Sequence, residues 1–235
     1  MISVEMNPNI IRNIRKVEPY VPGEQPQNRV VKLNTNENPY PPAPGVERVL
    51  AEMDTDRFRL YPDPSAAKLV SVLAEHHHVG EDQVFVGVGS DDVLAMCFLT
   101  FFNSEKPVLF PDITYSFYKV WAELYRIPYE CPKLDGDFRI VKEDYRRESG
   151  GVIFPNPNAP TAIYEELDFV EDILAHHPDE VVIVDEAYID FAGRSALELL
   201  GRYNNLIVVR TFSKARSMAG MRIGYAVSNP SLIRY

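Results

Sequence analysis

Leu206-Ile207-Val208-Val209-Arg210-Thr211-Phe212-Ser213-Lys214 is the stretch from which the fold of this chain can be read. Four apolar residues, three of them β-branched, predict a short buried strand. Thr211, Phe212 and Ser213 carry the chain off that strand and lead to a single lysine, Lys214. Eight residues further on, Arg222 opens a second apolar run over residues 223–227. A lysine at a strand end, among small and apolar neighbours, can lose hydration, which lowers its pKa and makes the amine a usable nucleophile. A surface lysine in a loop is the competing reading, and the rest of the chain has to decide between them.

Outward from this stretch the pattern is regular. Residues 84–88, 108–110, 128–131, 152–154 and 181–184 also read as strands, so that 206–209 and 223–227 complete a set of seven. Helical segments fall between them at 93–102, 115–125, 165–176 and 196–200. This alternation predicts an α/β domain with a mostly parallel sheet, whose ligand lies outside the carboxyl ends of the strands. Ser90, Asn158, Asp185 and Lys214 each fall just after a predicted strand and so share that edge.

Residues 1–45 are irregular and proline-rich, with Pro8, Pro19, Pro22 and Pro26 ahead of Asn36-Glu37-Asn38-Pro39-Tyr40-Pro41-Pro42. Apart from one short helix over 9–16, they predict an extended N-terminal arm that lies across another surface or serves as a linker. A helix is expected over 46–53, a turn over 60–64, and a further helix capped by Ser65 and running to residue 78. His76-His77-His78 raises the question of a metal. Consecutive residues on a helix point to different faces, and no other residue has ligand spacing, so no metal is expected.

The 235 residues suffice for one large domain, and 46% hydrophobic with 25% charged residues is an ordinary globular composition. A net charge of −10 argues against nucleic acid or an anionic membrane surface as the main partner. Cys97 and Cys131 have no metal-ligand or CxxC spacing and read as reduced core residues of a cytoplasmic protein. No secretory leader and no apolar run of membrane-spanning length are recognisable.

Three segments carry chemistry. Gly87-Val88-Gly89-Ser90-Asp91-Asp92 opens a helix with small residues and backbone N–H groups, which suits a phosphate better than a structural turn. It is a poor dinucleotide fingerprint, because Asp92 stands where the third glycine belongs, although Asp112 falls where a ribose-binding acid would. Val182-Ile183-Val184-Asp185-Glu186 resembles the acidic strand of an ATPase, but no GxxxxGK[ST] loop accompanies it. A carboxylate at the end of a buried strand needs a cationic partner, either a nearby arginine or the protonated ring nitrogen of a cofactor. In Pro155-Asn156-Pro157-Asn158-Ala159-Pro160-Thr161 the prolines hold Asn158 in a rigid turn, from which its amide can reach a ligand oxygen.

Taken in order, Asn158 within a PNxPT-like run, Asp185-Glu186-Ala187-Tyr188, Ser213-Lys214 and Arg222 resemble the fold-type I pyridoxal-phosphate aminotransferases of class II. The similarity is greatest to the histidinol-phosphate aminotransferases, with Leu33-Asn34-Thr35-Asn36-Glu37-Asn38-Pro39 and Arg59-Leu60-Tyr61-Pro62-Asp63-Pro64 matching two more of their motifs. Ala159 and Ala162 depart from the asparagine and glycine usual there. The resemblance implies a three-layer αβα large domain over residues 46–235 behind the arm of residues 1–45. It further implies that the family's small C-terminal domain, which carries substrate-binding arginines, is missing.

By the same resemblance Lys214 would bond covalently to pyridoxal 5′-phosphate, Asp185 would hold the proton on the ring nitrogen, and Tyr188 and Asn158 would bind the ring's phenolic oxygen. Tyr115 would stack on the ring. Ser90, Asp91, Ser213 and Arg222 would hold the phosphate, and Tyr61 would reach the cofactor of a second subunit in a homodimer. Tyr20 and Asn36 would approach the substrate. The implied reaction exchanges the amino group of histidinol phosphate with 2-oxoglutarate, giving imidazole acetol phosphate and glutamate in histidine biosynthesis. An aromatic aminotransferase, a threonine-phosphate decarboxylase and a cofactor-binding half without turnover remain as alternatives, as does a dinucleotide-binding oxidoreductase that leaves Lys214 without a role.

Overall fold

A computed structural model describes residues 8–12, 14–18, 20 and 23–235. Its centre is a seven-stranded sheet in the order β1-β7-β6-β5-β4-β2-β3. The strands are β1 (Val84–Gly87), β2 (Val108–Leu109), β3 (Tyr129–Glu130), β4 (Gly151–Pro155), β5 (Val182–Asp185), β6 (Leu206–Thr211) and β7 (Gly224–Ser228). All seven lie where the sequence places them. Pairings among β3, β2, β4, β5 and β6 are parallel, whereas β7 runs antiparallel between β6 and β1.

Side-chain alternation along the strands divides the core into two layers. Val152, Phe154, Val182, Val184, Leu206 and Val208 pack on one face against α3 (Ala67–His77), α6 (Leu167–His176) and the 3-10 turn Ala196–Leu199. Ile153, Ile183, Ile207 and Val209 face the other way, onto α4 (Ser90–Phe101) and α5 (Phe117–Tyr125). A strand with both faces covered has no polar face to show water, which is why these runs are continuously apolar. The fold is therefore the three-layer αβα arrangement expected, with a mostly parallel sheet. The short helix α7 (Pro230–Ile233) packs Leu232 and Ile233 against the second of these layers, while no described residue of α1 (Pro8–Arg12) or α2 (Pro44–Ala51) belongs to either. Among the described residues no helix is long and apolar enough to cross a membrane.

Several local expectations are corrected. The first helix stops at Arg12 rather than at residue 16. Ser65 does not cap α3. Asp63 does so from four residues back, its carboxylate accepting from the backbone N–H groups of Ser65 (3.0 Å) and Ala67 (2.8 Å). α4 already begins at Ser90, while α5 begins at Phe117, so Tyr115 precedes its helix. Residues 196–199 form a 3-10 turn rather than an α-helix.

Direction matters more for function than order does. β6 leaves the sheet at Thr211, the loop through Lys214 and Arg222 turns back, and β7 re-enters at Gly224, paired with Thr211 on one side and Gly87 on the other. Reversing β7 makes β1 point the same way as β6. The loop after β1 is thereby brought to the same edge as the loops after β4, β5 and β6.

Candidate active site

A cavity of about 240 Å³ opens at that edge, lined among others by Ser90, Asp91, Tyr115, Asp185, Tyr188, Ser213, Lys214 and Arg222. With Thr35 also in the lining, the structure brings together residues as much as 187 positions apart in the chain, from Thr35 to Arg222.

Asp185 ends β5 on the face that carries Ile183, so its side chain turns towards α5. Its Oδ2 accepts from the Tyr118 hydroxyl at 2.8 Å and its Oδ1 from the Ala187 backbone N–H at 3.1 Å. Burial pushes its pKa up to about 6 despite these two donors. Among the described residues it has no ion-pair partner. The nearby arginine, one of the two partners the sequence left open for it, goes instead to Glu186, which the strand alternation turns to the opposite face. There Arg210 binds the Glu186 carboxylate at 2.8 Å, Ser195 Oγ donates to it at 2.7 Å and the Ala196 N–H at 2.6 Å. Glu186 is a strut that ties the segment carrying Tyr188 to β6, and Asp185 is left as the acid that faces the cavity.

The anion-binding corner depends on close backbone approach. Gly89 caps α4 at φ +89°, where a side chain would be strained, and a Cβ there would lie 2.5 Å from Arg222 Nη2. A Cβ on Gly224 would lie 2.2 Å from the backbone nitrogen of Ser90, so only glycine lets β7 pass beneath the start of α4. No side chain caps that helix, whose first N–H groups have no partner within it and point outward with the positive end of its dipole. Arg222 stands beside them and contacts Asp91 Oδ2 at 3.3 Å, and the Tyr115 hydroxyl donates to Asp91 Oδ1 at 2.8 Å.

Lys214 Nζ donates to the Thr35 carbonyl at 2.9 Å and stands 5.5 Å from the centre of the Tyr188 ring. Asn36 Nδ2 donates to the Tyr188 hydroxyl oxygen at 2.9 Å, leaving that hydroxyl's own hydrogen available for another acceptor. The arm therefore closes one side of the cavity, and Asn38 Nδ2 ties it to the Lys214 carbonyl at 3.2 Å.

Asn158 lies behind Ala159, outside the cavity lining. Its amide donates to the Ile113 carbonyl (3.0 Å) and to Thr161 Oγ1 (3.2 Å), while Thr114 Oγ1 donates to its Oδ1 (2.8 Å). Tyr20 packs on Phe117 at 4.5 Å between ring centres, next to the cavity but not in its lining. Tyr61 is fully exposed and is not in its lining either. Asp112 is occupied in accepting the Leu134 N–H at 3.0 Å. His77 is bound to the Tyr225 hydroxyl at 2.8 Å, and burial pushes its pKa down to about 4. Sequence reasoning missed Tyr118, Thr35 and Arg210. Tyr118, three residues after Tyr115 and so next to it on one face of the helix that the sequence predicts over 115–125, carried a usable signal.

A three-layer αβα domain with a lysine, a buried acid and a helix N-terminus at the carboxyl edge of its sheet is the architecture of fold-type I enzymes. The chain belongs to the class I and II aminotransferase family, whose model, "Aminotransferase class I and II", matches residues 28–235. It is 52% identical over 220 residues to the histidinol-phosphate aminotransferase of Chromohalobacter salexigens, covering 94% of this chain and 63% of that protein. Identity to the histidinol-phosphate aminotransferase of Lactococcus lactis subsp. cremoris is 50% over 224 residues, again 63% of that protein. The chain thus spans less than two thirds of the length of these curated relatives. Among solved structures, the histidinol-phosphate aminotransferase from Sinorhizobium meliloti in complex with pyridoxal-5′-phosphate superposes with a TM-score of 0.75 at 26% identity, over 85% of this chain and 56% of that one. The Thermus thermophilus aspartate aminotransferase shares the fold, with a TM-score of 0.73 at 20% identity over 86% and 57% of the two chains.

Proposed function

We propose that this chain forms the cofactor-binding part of a pyridoxal 5′-phosphate-dependent histidinol-phosphate aminotransferase, acting with 2-oxoglutarate in histidine biosynthesis. The observation that carries this reading is Asp185: a buried carboxylate without a cationic partner among the described residues, in the same cavity as Lys214. A buried acid in that position is suited to a protonated ring nitrogen. The residues fit the cofactor's other end too, because the α4 N-terminus and Arg222 form a corner for a phosphate. The identities of about 50% to named histidinol-phosphate aminotransferases support the choice of substrate.

When bound, the cofactor supplies an electron sink for the pair released at the substrate α-carbon. Asp185 keeps the ring nitrogen protonated, which makes that sink effective. Lys214 would hold the cofactor and would move the proton at the substrate α-carbon. Tyr188 donates its free hydrogen to the phenolic oxygen, with Asn158 buttressing the same corner. Tyr115 would cover the ring face, and the backbone N–H groups of Ser90 and Asp91, with Ser213 and Arg222, would take the phosphate. Asn36 and Tyr20 would hold the described residues of the N-terminal arm beside the substrate, against the domain formed by residues 46–235.

The protein acts as a cytoplasmic homodimer in this reading. Val49, Leu50, Phe58, Leu60 and Tyr61 are all exposed on the single chain, which supports a second subunit over α2 and Tyr61 reaching its site. The test is an absorbance spectrum of the chain with pyridoxal 5′-phosphate, before and after adding histidinol phosphate. A visible band from the lysine-bound cofactor that falls as the pyridoxamine form rises supports the assignment. Absence of that band refutes the cofactor, and a band indifferent to histidinol phosphate refutes the substrate.

A further inference from the structure

We infer that Tyr118 is a positioning residue: its hydroxyl fixes the aim of the Asp185 carboxylate and keeps it ionised for a cationic ring. This rests on the reading of Asp185 given above, and it assigns a task to a residue that touches neither cofactor nor substrate.

Tyr118 is completely buried, and its hydroxyl donates to Asp185 Oδ2 at 2.8 Å, the one side-chain donor that acid has among the described residues. The ring has no room to choose another position. Tyr115, Phe110 and Phe98 surround it at centroid distances of 5.7, 5.9 and 6.2 Å, and Trp121 lies at 6.3 Å. A phenol held this tightly presents its hydrogen at one point, and the Ala187 N–H takes the other carboxylate oxygen at 3.1 Å. Together the two donors set the plane of the carboxylate. Tyr115 does the same for Asp91 at 2.8 Å, so two phenols from one segment hold two of the acids that line the cavity.

The electrical argument runs in the same direction. Desolvation and the nearby negative charges of Asp91 and Glu186 all favour the neutral form of Asp185. Lys214 and Arg222 share the cavity but form no ion pair with it, and Tyr115 is itself held neutral, its pKa raised by burial and by Asp91. The donors that oppose protonation are Tyr118 and the Ala187 N–H. Tyr118 cannot ionise in this setting, because burial and Asp185 raise its own pKa well above the usual tyrosine value, so it remains a donor.

The test is the titration of the Asp185 carboxyl carbon by NMR in the full chain labelled with carbon-13 aspartate, with and without pyridoxal 5′-phosphate. The resonance is assigned by its loss in Asp185→Asn. Tyr118→Phe retains the ring and removes the donor, and should raise the cofactor-free midpoint by about one to two pH units. Fluorotyrosine at position 118, a stronger donor of nearly the same shape, should lower it. In the loaded protein, Tyr118→Phe should shift the pH profile of the visible band and slow the half-reaction about ten-fold or more. A purely structural tyrosine would lower stability and leave the midpoint where it was. An unmoved midpoint in Tyr118→Phe, or in the fluorotyrosine protein should Tyr118→Phe not fold, overturns the inference. A midpoint that moves in a protein showing no visible band would uphold the Tyr118–Asp185 coupling and overturn the cofactor reading instead.

Discussion

Replacing Asp185 by asparagine should make the cofactor-free chain more stable, and increasingly so as the pH rises. Folding raises this acid from 3.8 to about 6 by burying it. The folded chain therefore holds the proton more tightly than the unfolded one. The resulting stability is complete below the unfolded value and is lost as pH rises through about 6. Over about two pH units, at about 1.4 kcal/mol each, the loss is about 3 kcal/mol near pH 8 and about 1 kcal/mol near pH 4.5. Asparagine has no charge to bury, and its amide oxygen can still accept from Tyr118. Asp185→Asn should thus exceed the parent chain by about 1 kcal/mol near pH 4.5 and about 3 kcal/mol near pH 8. Urea unfolding followed by the fluorescence of Trp121, the sole tryptophan, measures both values. Pyridoxal 5′-phosphate should then stabilise the parent chain more than the variant, since it supplies the cation that the acid lacks. A difference that does not grow with pH would refute the premise that Asp185 is buried without a positive partner.

Lys214→Ala should abolish the visible absorbance of covalently held cofactor while equilibrium dialysis still detects binding, because the phosphate corner is untouched. Retention of that absorbance would show that another amine carries the cofactor. Arg210→Met leaves Glu186 enclosed without its cation and should cost about 3–5 kcal/mol in urea unfolding. A loss well below about 1 kcal/mol would mean that Ser195 and the Ala196 N–H suffice to hold that acid. Gly224→Ala places a methyl group against the backbone at Gly89 and Ser90 and should cost about 1–3 kcal/mol. It should weaken cofactor binding as well, and unchanged affinity by dialysis would exclude the α4 N-terminus as the phosphate site.

The strands were legible because each is an apolar run of limited length, and burial on both faces of a parallel sheet demands such runs. Lys214, Asp185 and Arg222 could be picked out because each breaks or borders one of them. Helix ends were less legible. Ser65 and Asp63 are both good capping residues, and only the backbone path shows that the Asp63 carboxylate reaches the Ala67 N–H. The roles of Asp185 and Glu186 could not be separated from their order in the chain. Strand alternation turns adjacent side chains to opposite faces, and which face holds Arg210 and which holds the cavity depends on how the whole sheet is layered.

The local sequence by itself determined the seven strands, the α/β class and the residue types of the site, because burial and turn chemistry act over a few residues at a time. Only the tertiary structure decided that β7 runs antiparallel between β1 and β6. That reversal brings the Ser90 loop beside Lys214, with glycines at 89 and 224 allowing the contact. It alone decided, too, that Thr35 reaches Lys214 and that Tyr118 reaches Asp185. These are meetings of side chains and backbone from distant segments, and their geometry is set by the packing of helices on a sheet rather than by any neighbouring residue.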